Sequence, residues 1–193
     1  MNKKLRAFLE ASGQQSFSQS FWEEIAIYDA ITPIKRREVL IPYGSRPKCG
    51  YFIVSGGFST SMISDSGDKK ALWFNLDVQF PMVICPDSYF LNEPTKYEVT
   101  ALENSEVIKI NKQHVDQLAE KYKSFGQFYF RDVVTNCITI NEIRNYMLSH
   151  TPLQFLDYIK KNYPAYFDRL SSKNMAHFLG ISPEWYSKLK KKS

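Results

Sequence analysis

The stretch MAHFLGISPEWYSKLKK, residues 175–191, carries two short helical patterns that meet at a glycine. Gly180 stands where the first pattern stops, and glycine most easily takes the left-handed backbone that closes a helix C-terminus. Ser182 can accept a backbone N–H as an N-cap, and Pro183 suits the first helical position, where its missing donor would be orphaned anyway. The break is therefore specified on both sides. Apolar residues fall at Met175, Phe178 and Leu179 before it and at Tyr186 and Leu189 after it. Ile181 sits in the turn, and small Ala176 lies where two crossing helices would press closest. Left outward on the second helix are Glu184, Trp185, Ser187, Lys188, Lys190 and Lys191. A solvated basic helix would share any one of these features. Together they predict a helix-turn-helix whose second helix is short enough to lie in a DNA major groove.

Charge points the same way. The chain carries net +5, and residues 158–193 hold eight Lys and Arg, Lys173 among them, against Asp168 and Glu184 alone. A nearly neutral body with a basic tail is the asymmetry of a polyanion-binding module, because phosphate contacts dominate nucleic-acid affinity. A membrane surface would attract the same tail. However, the tail's apolar side chains are needed for packing, and no lipidation signal is present.

At 193 residues the chain has room for one large or two small domains, with 44% apolar content for the core. No run of eighteen apolar residues predicts a membrane span, and the start MNKKLRAFLEASGQQ does not read as a secretory signal. Cys49, Cys85 and Cys137 are odd in number, far apart and without a CxxC, which suits a reducing, cytoplasmic setting. His114, His150 and His177 are scattered, so no metal centre and no cofactor are expected. Motifs such as GxSxG, HExxH and the P-loop are absent, and no catalytic residues are assigned. The expectation is a protein that is not an enzyme.

The first two-thirds reads as strands after a helical start at 21–30. Runs at 37–42, 51–55, 58–64, 69–75, 97–102 and 106–111 are separated by Gly- or Asp-bearing turns such as YGSRPKCG and DSGD. Gly56-Gly57 predicts a tight hairpin. Short antiparallel strands of this kind suggest a double-sheet jelly roll closing over an apolar interior. From about Asn111 the period becomes helical. Phe130, Val133, Cys137, Ile140, Arg144 and Met147 step by three and four, which is a coiled-coil seam interrupted once by Arg144. That pattern predicts a dimerising helix in preference to one buried within a monomer, leaving Phe128, Val134, Ile138 and Ile143 on other faces. Thr151-Pro152 then starts a new helix.

A roll holding YFIVSGG and ALENSEVIKI, a long helix and the terminal MAHFLGISPEWYSKLKK resemble the Crp/Fnr transcription regulators, over about Phe21 to Lys191. The resemblance implies an α+β chain in three parts. Residues 1–120 would be a cyclic-nucleotide-binding-like antiparallel β-roll, 121–149 a dimerisation helix, and 150–193 a helical, winged-helix-like DNA-binding domain. It places the DNA-reading residues on Pro183, Glu184, Ser187 and Lys188, with Glu184 accepting from a cytosine and Lys188 donating to a guanine. Lys190 and Lys191 lie past the bases and would meet phosphates, and Lys173 is a further DNA-binding candidate. The implied partners are a second copy of the chain, an inverted-repeat DNA duplex and an unidentified small-molecule effector.

Two departures matter. Pro183 stands where a member of the family has a base-contacting Arg, and Pro offers no donor. The nucleotide cassette is also altered, since Gly is absent from 68 to 125 and Thr95-Lys96 replaces the family's Arg-Ser. Without a guanidinium fork a cyclic phosphate loses its strongest pair, and Lys96 supplies only a point charge. Cyclic AMP is therefore not the expected effector. The aromatic and apolar set Trp73, Phe74, Phe80, Val83, Tyr89 and Phe90 reads as core, with a pocket for a less polar ligand as the alternative. The rival function is a ligand-sensing or protein-interaction module whose helix-turn-helix no longer reads DNA.

Overall fold

A computed structural model describes residues 1–11, 16–63 and 69–190. The order of elements is α1 (Lys3–Ala11), α2 (Gln19–Ile25), β1 (Ile31–Ile34), β2 (Val39–Ile41), β3 (Cys49–Ser55), β4 (Gly57–Ile63), β5 (Lys69–Leu76), β6 (Met82–Val83), α3 (Pro86–Leu91), β7 (Tyr97–Ala101) and β8 (Ser105–Asn111). The strands form two antiparallel sheets, ordered β1-β8-β3-β6 and β2-β7-β4-β5. Alternation along β3 and β8 explains the first sheet's apolar runs. Ile53 and Val107 face the roll interior with Phe58, Val83, Cys85 and Val99. Phe52, Val54, Ile108 and Ile110 face outward, under a helical layer. A sheet covered on both faces has no polar side to show in its sequence.

Gly56-Gly57 is not a hairpin. β3 and β4 lie in different sheets, so this corner carries the chain from one sheet to the other. Gly56 has φ 90°, and a Cβ there would stand 2.2 Å from Ser105 Oγ. Gly57 N–H donates to that same hydroxyl at 3.1 Å, so the corner fits only a residue without a side chain. The expected DSGD turn lies outside the described residues. Strands β1 and β6 escape the sequence pattern because one carries Pro33 and the other is two residues long.

From Lys112 onward every described element is a helix: α4 (Lys112–Lys121), α5 (Lys123–Ser149), α6 (Pro152–Asn162), α7 (Pro164–Arg169), α8 (Ser172–Phe178) and α9 (Pro183–Lys190). The helical run after Asn111 is divided at Tyr122, whose backbone is extended. Thr151 starts α6 as expected, with a complete capping box to Gln154.

The C-terminal helices dock on the roll. Ala71, Phe74 and Leu76 of β5 share one core with Phe155, Tyr166, Met175, Phe178 and Tyr186. Trp73 packs tilted against Phe80 at 4.9 Å, and Phe80 against Tyr163 at 5.8 Å. Arg169 bridges Asp77 at 2.5 Å and also pairs with Glu103. The set singled out above therefore does not line one pocket. Trp73, Phe74 and Phe80 seal the joint between roll and helices, Val83 fills the roll, and Phe90 is exposed.

Helix α5 buries Phe125, Phe128 and Ile143 against its own chain and leaves an apolar strip in solvent. Phe130 and Leu148 are each 71% exposed and Ile138 54%, and Val134, Cys137, Ile140 and Met147 are also exposed. Val133, expected on the seam, is half-buried, whereas Val134 and Ile138 are outside. The free strip is thus rotated slightly from the one that spacing suggests. No described helix is long and apolar enough to cross a membrane.

Candidate nucleic-acid interface

The two helices of 172–190 are set by local chemistry. Ser171 caps α8 by accepting from Asn174 N–H. At its other end Ile181 N–H donates to Ala176 O at 3.0 Å and Gly180 N–H to His177 O at 3.1 Å. With Gly180 at φ 68°, these are the paired bonds of a Schellman motif. Ser182 Oγ then accepts from Trp185 N–H at 3.2 Å and starts α9. Beneath the turn Met175, Ala176, Leu179, Tyr186 and Leu189 are buried in one cluster, and half-buried Ile181 packs against it.

That burial leaves one face of α9 in water. Glu184, Trp185, Ser187, Lys188 and Lys190 are exposed, Trp185 by 46% of its surface. Glu184 and Lys188 are four apart and so share a side of the helix. The Glu184 carboxyl is held below the usual range by its own backbone N–H and by the Ser182 hydroxyl. It is therefore an anionic acceptor in the first turn of α9. Ser187 Oγ donates to Pro183 O at 3.0 Å, one turn back. Lys190 Nζ lies 5.4 Å above the Phe167 ring, and Lys160 Nζ lies 5.3 Å from the same ring. Lys173 is exposed in the first turn of α8. Lys191 falls outside the described residues. Glu184, Ser187 and Lys188 thus share the outward face of one helix, with Lys190 leaning back over α7.

The roll offers a second place of interest. In the first turn of α3, Asp87 accepts from Ser88 N–H at 2.9 Å and from Lys96 N–H at 2.7 Å. These are donors in the segment that the family resemblance marks for phosphate, and a carboxylate of the chain itself occupies them. The Lys96 side chain is exposed, and Thr95 beside it is buried. Sequence reasoning passed over Asp87. Its signal was an acidic residue just after a helix-starting Pro, facing an Arg-less loop. Among the described residues no group of three or more His, Cys, Asp or Glu side chains is placed to hold a metal ion.

Residues 31–122 match the family of cyclic nucleotide-binding domains. No curated protein sequence matches the chain. Solved structures share its fold over most of its length. FixK2 from Bradyrhizobium japonicum superposes with TM-score 0.68 at 11% identity, covering 84% of this chain and 83% of that one. CLP, a c-di-GMP-responsive global regulator of Xanthomonas campestris, gives 0.64 at 13%, covering 91% of each. A CooA variant from Carboxydothermus hydrogenoformans gives 0.64 at 11%, covering 93% of this chain and 80% of that one.

Proposed function

We propose that this chain, which has the Crp/Fnr-type fold with a cyclic nucleotide-binding roll, is a DNA-binding transcription regulator. The observation that carries the reading is α9 itself. Its Tyr186 and Leu189 are buried under the turn while Glu184, Ser187 and Lys188 face solvent. A helix anchored on one side, with a donor and an acceptor on the other, can present both to base edges.

The protein acts as a homodimer through the exposed strip of α5, with residues 1–120 as effector domain, 121–149 as dimerisation helix and 150–193 as DNA-binding domain. An exposed apolar strip seven residues wide in composition is costly in water and typical of a partner surface. Two copies would set their α9 helices about 34 Å apart, one turn of the duplex, and read an inverted repeat. Lys190, Lys191 and Lys173 contribute phosphate contacts. The work is regulatory, not catalytic, and cytoplasmic. Cyclic AMP is not the effector, because Asp87 would have to give up two backbone donors and set a carboxylate beside the phosphate.

Selection of random duplexes by the purified protein tests the function. An enriched inverted repeat is expected. Recovery of unselected sequence would reduce α9 to a basic surface.

A further inference from the structure

Helices α1, α4 and α5 cover the outer face of the β1-β8-β3-β6 sheet, and beneath them is a cavity of about 90 Å³. It is separate from the Asp87 cradle. Along β6, Val83 faces the roll interior, whereas Met82 and the following Ile84 face the cavity. Gly50 of β3 keeps the floor open. A Cβ there would stand 3.0 Å from Ile84 Cγ2 and 3.6 Å from Met82 Cε. Most of the wall is Leu, Ile and Phe.

One end differs. Tyr28, Tyr89, Tyr129 and Asp132 reach the cavity wall together. Tyr28 Oη is satisfied by His114 Nδ1 at 2.8 Å. Tyr129 Oη is buried and makes no hydrogen bond of ordinary geometry; its neighbour is the Tyr89 hydroxyl, which can donate to it and leaves the Tyr129 hydrogen without an acceptor. Asp132, one turn further along α5, takes an amide hydrogen from Asn136 at 3.2 Å and keeps further acceptor capacity. A buried hydroxyl hydrogen without an acceptor is rare in a native interior and calls for an occupant.

We propose that this cavity binds a small, mostly apolar molecule bearing one hydroxyl, which accepts from Tyr129 and donates to Asp132. An apolar cavity of ~150 Å³ takes benzene. This one is smaller, but Met82 is unbranched and repacks readily. A single ring is therefore the upper size, which points to the phenol or short-chain alcohol class. The cavity reaches the regulator's assembly through α5. Val133 lines it, while Phe130 and Val134 beside it belong to the exposed strip. That regulatory consequence rests on the function proposed above, whereas binding itself does not.

The test is calorimetric titration of the full chain without DNA, using phenol and benzene as probes. Phenol should bind more than fivefold tighter than benzene, since its hydroxyl makes two hydrogen bonds and each is worth about fivefold. Tyr129→Phe keeps the ring and the Asp132 acceptor and should cut the phenol advantage about fivefold. Gly50→Ala narrows the floor and should weaken both. The proposal is overturned if phenol does not bind, if it binds no better than benzene, or if its advantage is unchanged in Tyr129→Phe. With no DNA present, failure here leaves the DNA-reading proposal intact, and the reverse also holds.

Discussion

Tyr166 donates its phenol hydrogen to the main-chain oxygen of Phe74, tying α7 to β5. Both side chains are fully buried, and burial pushes the Tyr166 phenol well above its ordinary pKa. The bond sits at the centre of the joint between the roll and the helix-turn-helix, with Trp73, Phe80 and Phe178 around it.

Tyr166→Phe removes the donor and keeps the ring. It should cost about 1–2 kcal/mol in chemical denaturation, because a buried carbonyl loses a partner. A variant as stable as the parent would mean that the aromatic packing alone holds the joint.

Cyclic AMP at millimolar concentration should leave the melting temperature unchanged. A ligand at a hundredfold its Kd adds about 2.7 kcal/mol, which a thermal scan resolves easily. Asp87→Ser removes the resident carboxylate and is the variant in which any anion affinity should first be seen. A clear upward shift in the unaltered chain sinks the claim.

What the sequence made legible was what local chemistry determines. Gly180, Ser182 and Pro183 act on their own neighbours, so the helix-turn-helix could be read from seventeen residues, as could the Thr151 cap. Features set by distant residues were not legible. Gly56-Gly57 looks like a hairpin until Ser105, far along the chain, is seen beside it. Trp73 and Phe80 look like roll core until Tyr163, Tyr166 and Phe178 arrive to cover them. The α5 strip was nearly right, but the half-burial of Val133 depends on a cavity that α1 helps to build, and nothing local to α1 shows that Leu5 and Leu9 pack there. Asp87 showed in the sequence only as an acidic residue after Pro86; its role needs the folded loop that brings the Lys96 N–H to its carboxylate.

The rotated strip changes which substitutions should split a dimer. Ile138→Asp and Val134→Asp should both yield monomers at micromolar concentration by light scattering, since each sets a charge on the exposed apolar face. Arg144→Leu should leave the dimer as tight or tighter. If the parent chain is itself monomeric, the strip has another role.

Burial raises the Asp132 carboxyl above its ordinary value of 3.8. A raised folded-state pKa means that the folded chain holds the proton more tightly than the unfolded one. That stabilisation is fully present below the unfolded value and is lost as pH rises through the folded value. Asp132→Asn is neutral at every pH and can still accept the Asn136 amide. It should therefore be more stable than the parent at about pH 7, with the gain shrinking on acidification towards the ordinary carboxylate range. Thermal melts across that span check it, and a gain independent of pH would assign the effect to packing.

The exposed residues of the last helices should fall into two classes when replaced. Glu184 and Lys188 lie on one side of α9, and hydrogen bonds from its own backbone N–H and the Ser182 hydroxyl hold the Glu184 carboxyl below its ordinary pKa, so it is an anionic acceptor at neutral pH. Alanine at either position should cost about 1–3 kcal/mol on the preferred duplex and relax specificity at one base pair. Lys190 lies over the Phe167 ring of α7, and Lys173 opens α8. Alanine at either of these should weaken cognate and scrambled duplexes alike and reduce the salt slope by about one unit per half-site. Ser182→Ala separates folding from reading. It removes the acceptor for Trp185 N–H and should cost about 1 kcal/mol of stability, with DNA affinity falling only as α9 frays. The measurement is a salt series on both duplexes for each variant. Identical behaviour of Lys188→Ala and Lys190→Ala on the two duplexes would show that α9 neutralises phosphates without reading bases.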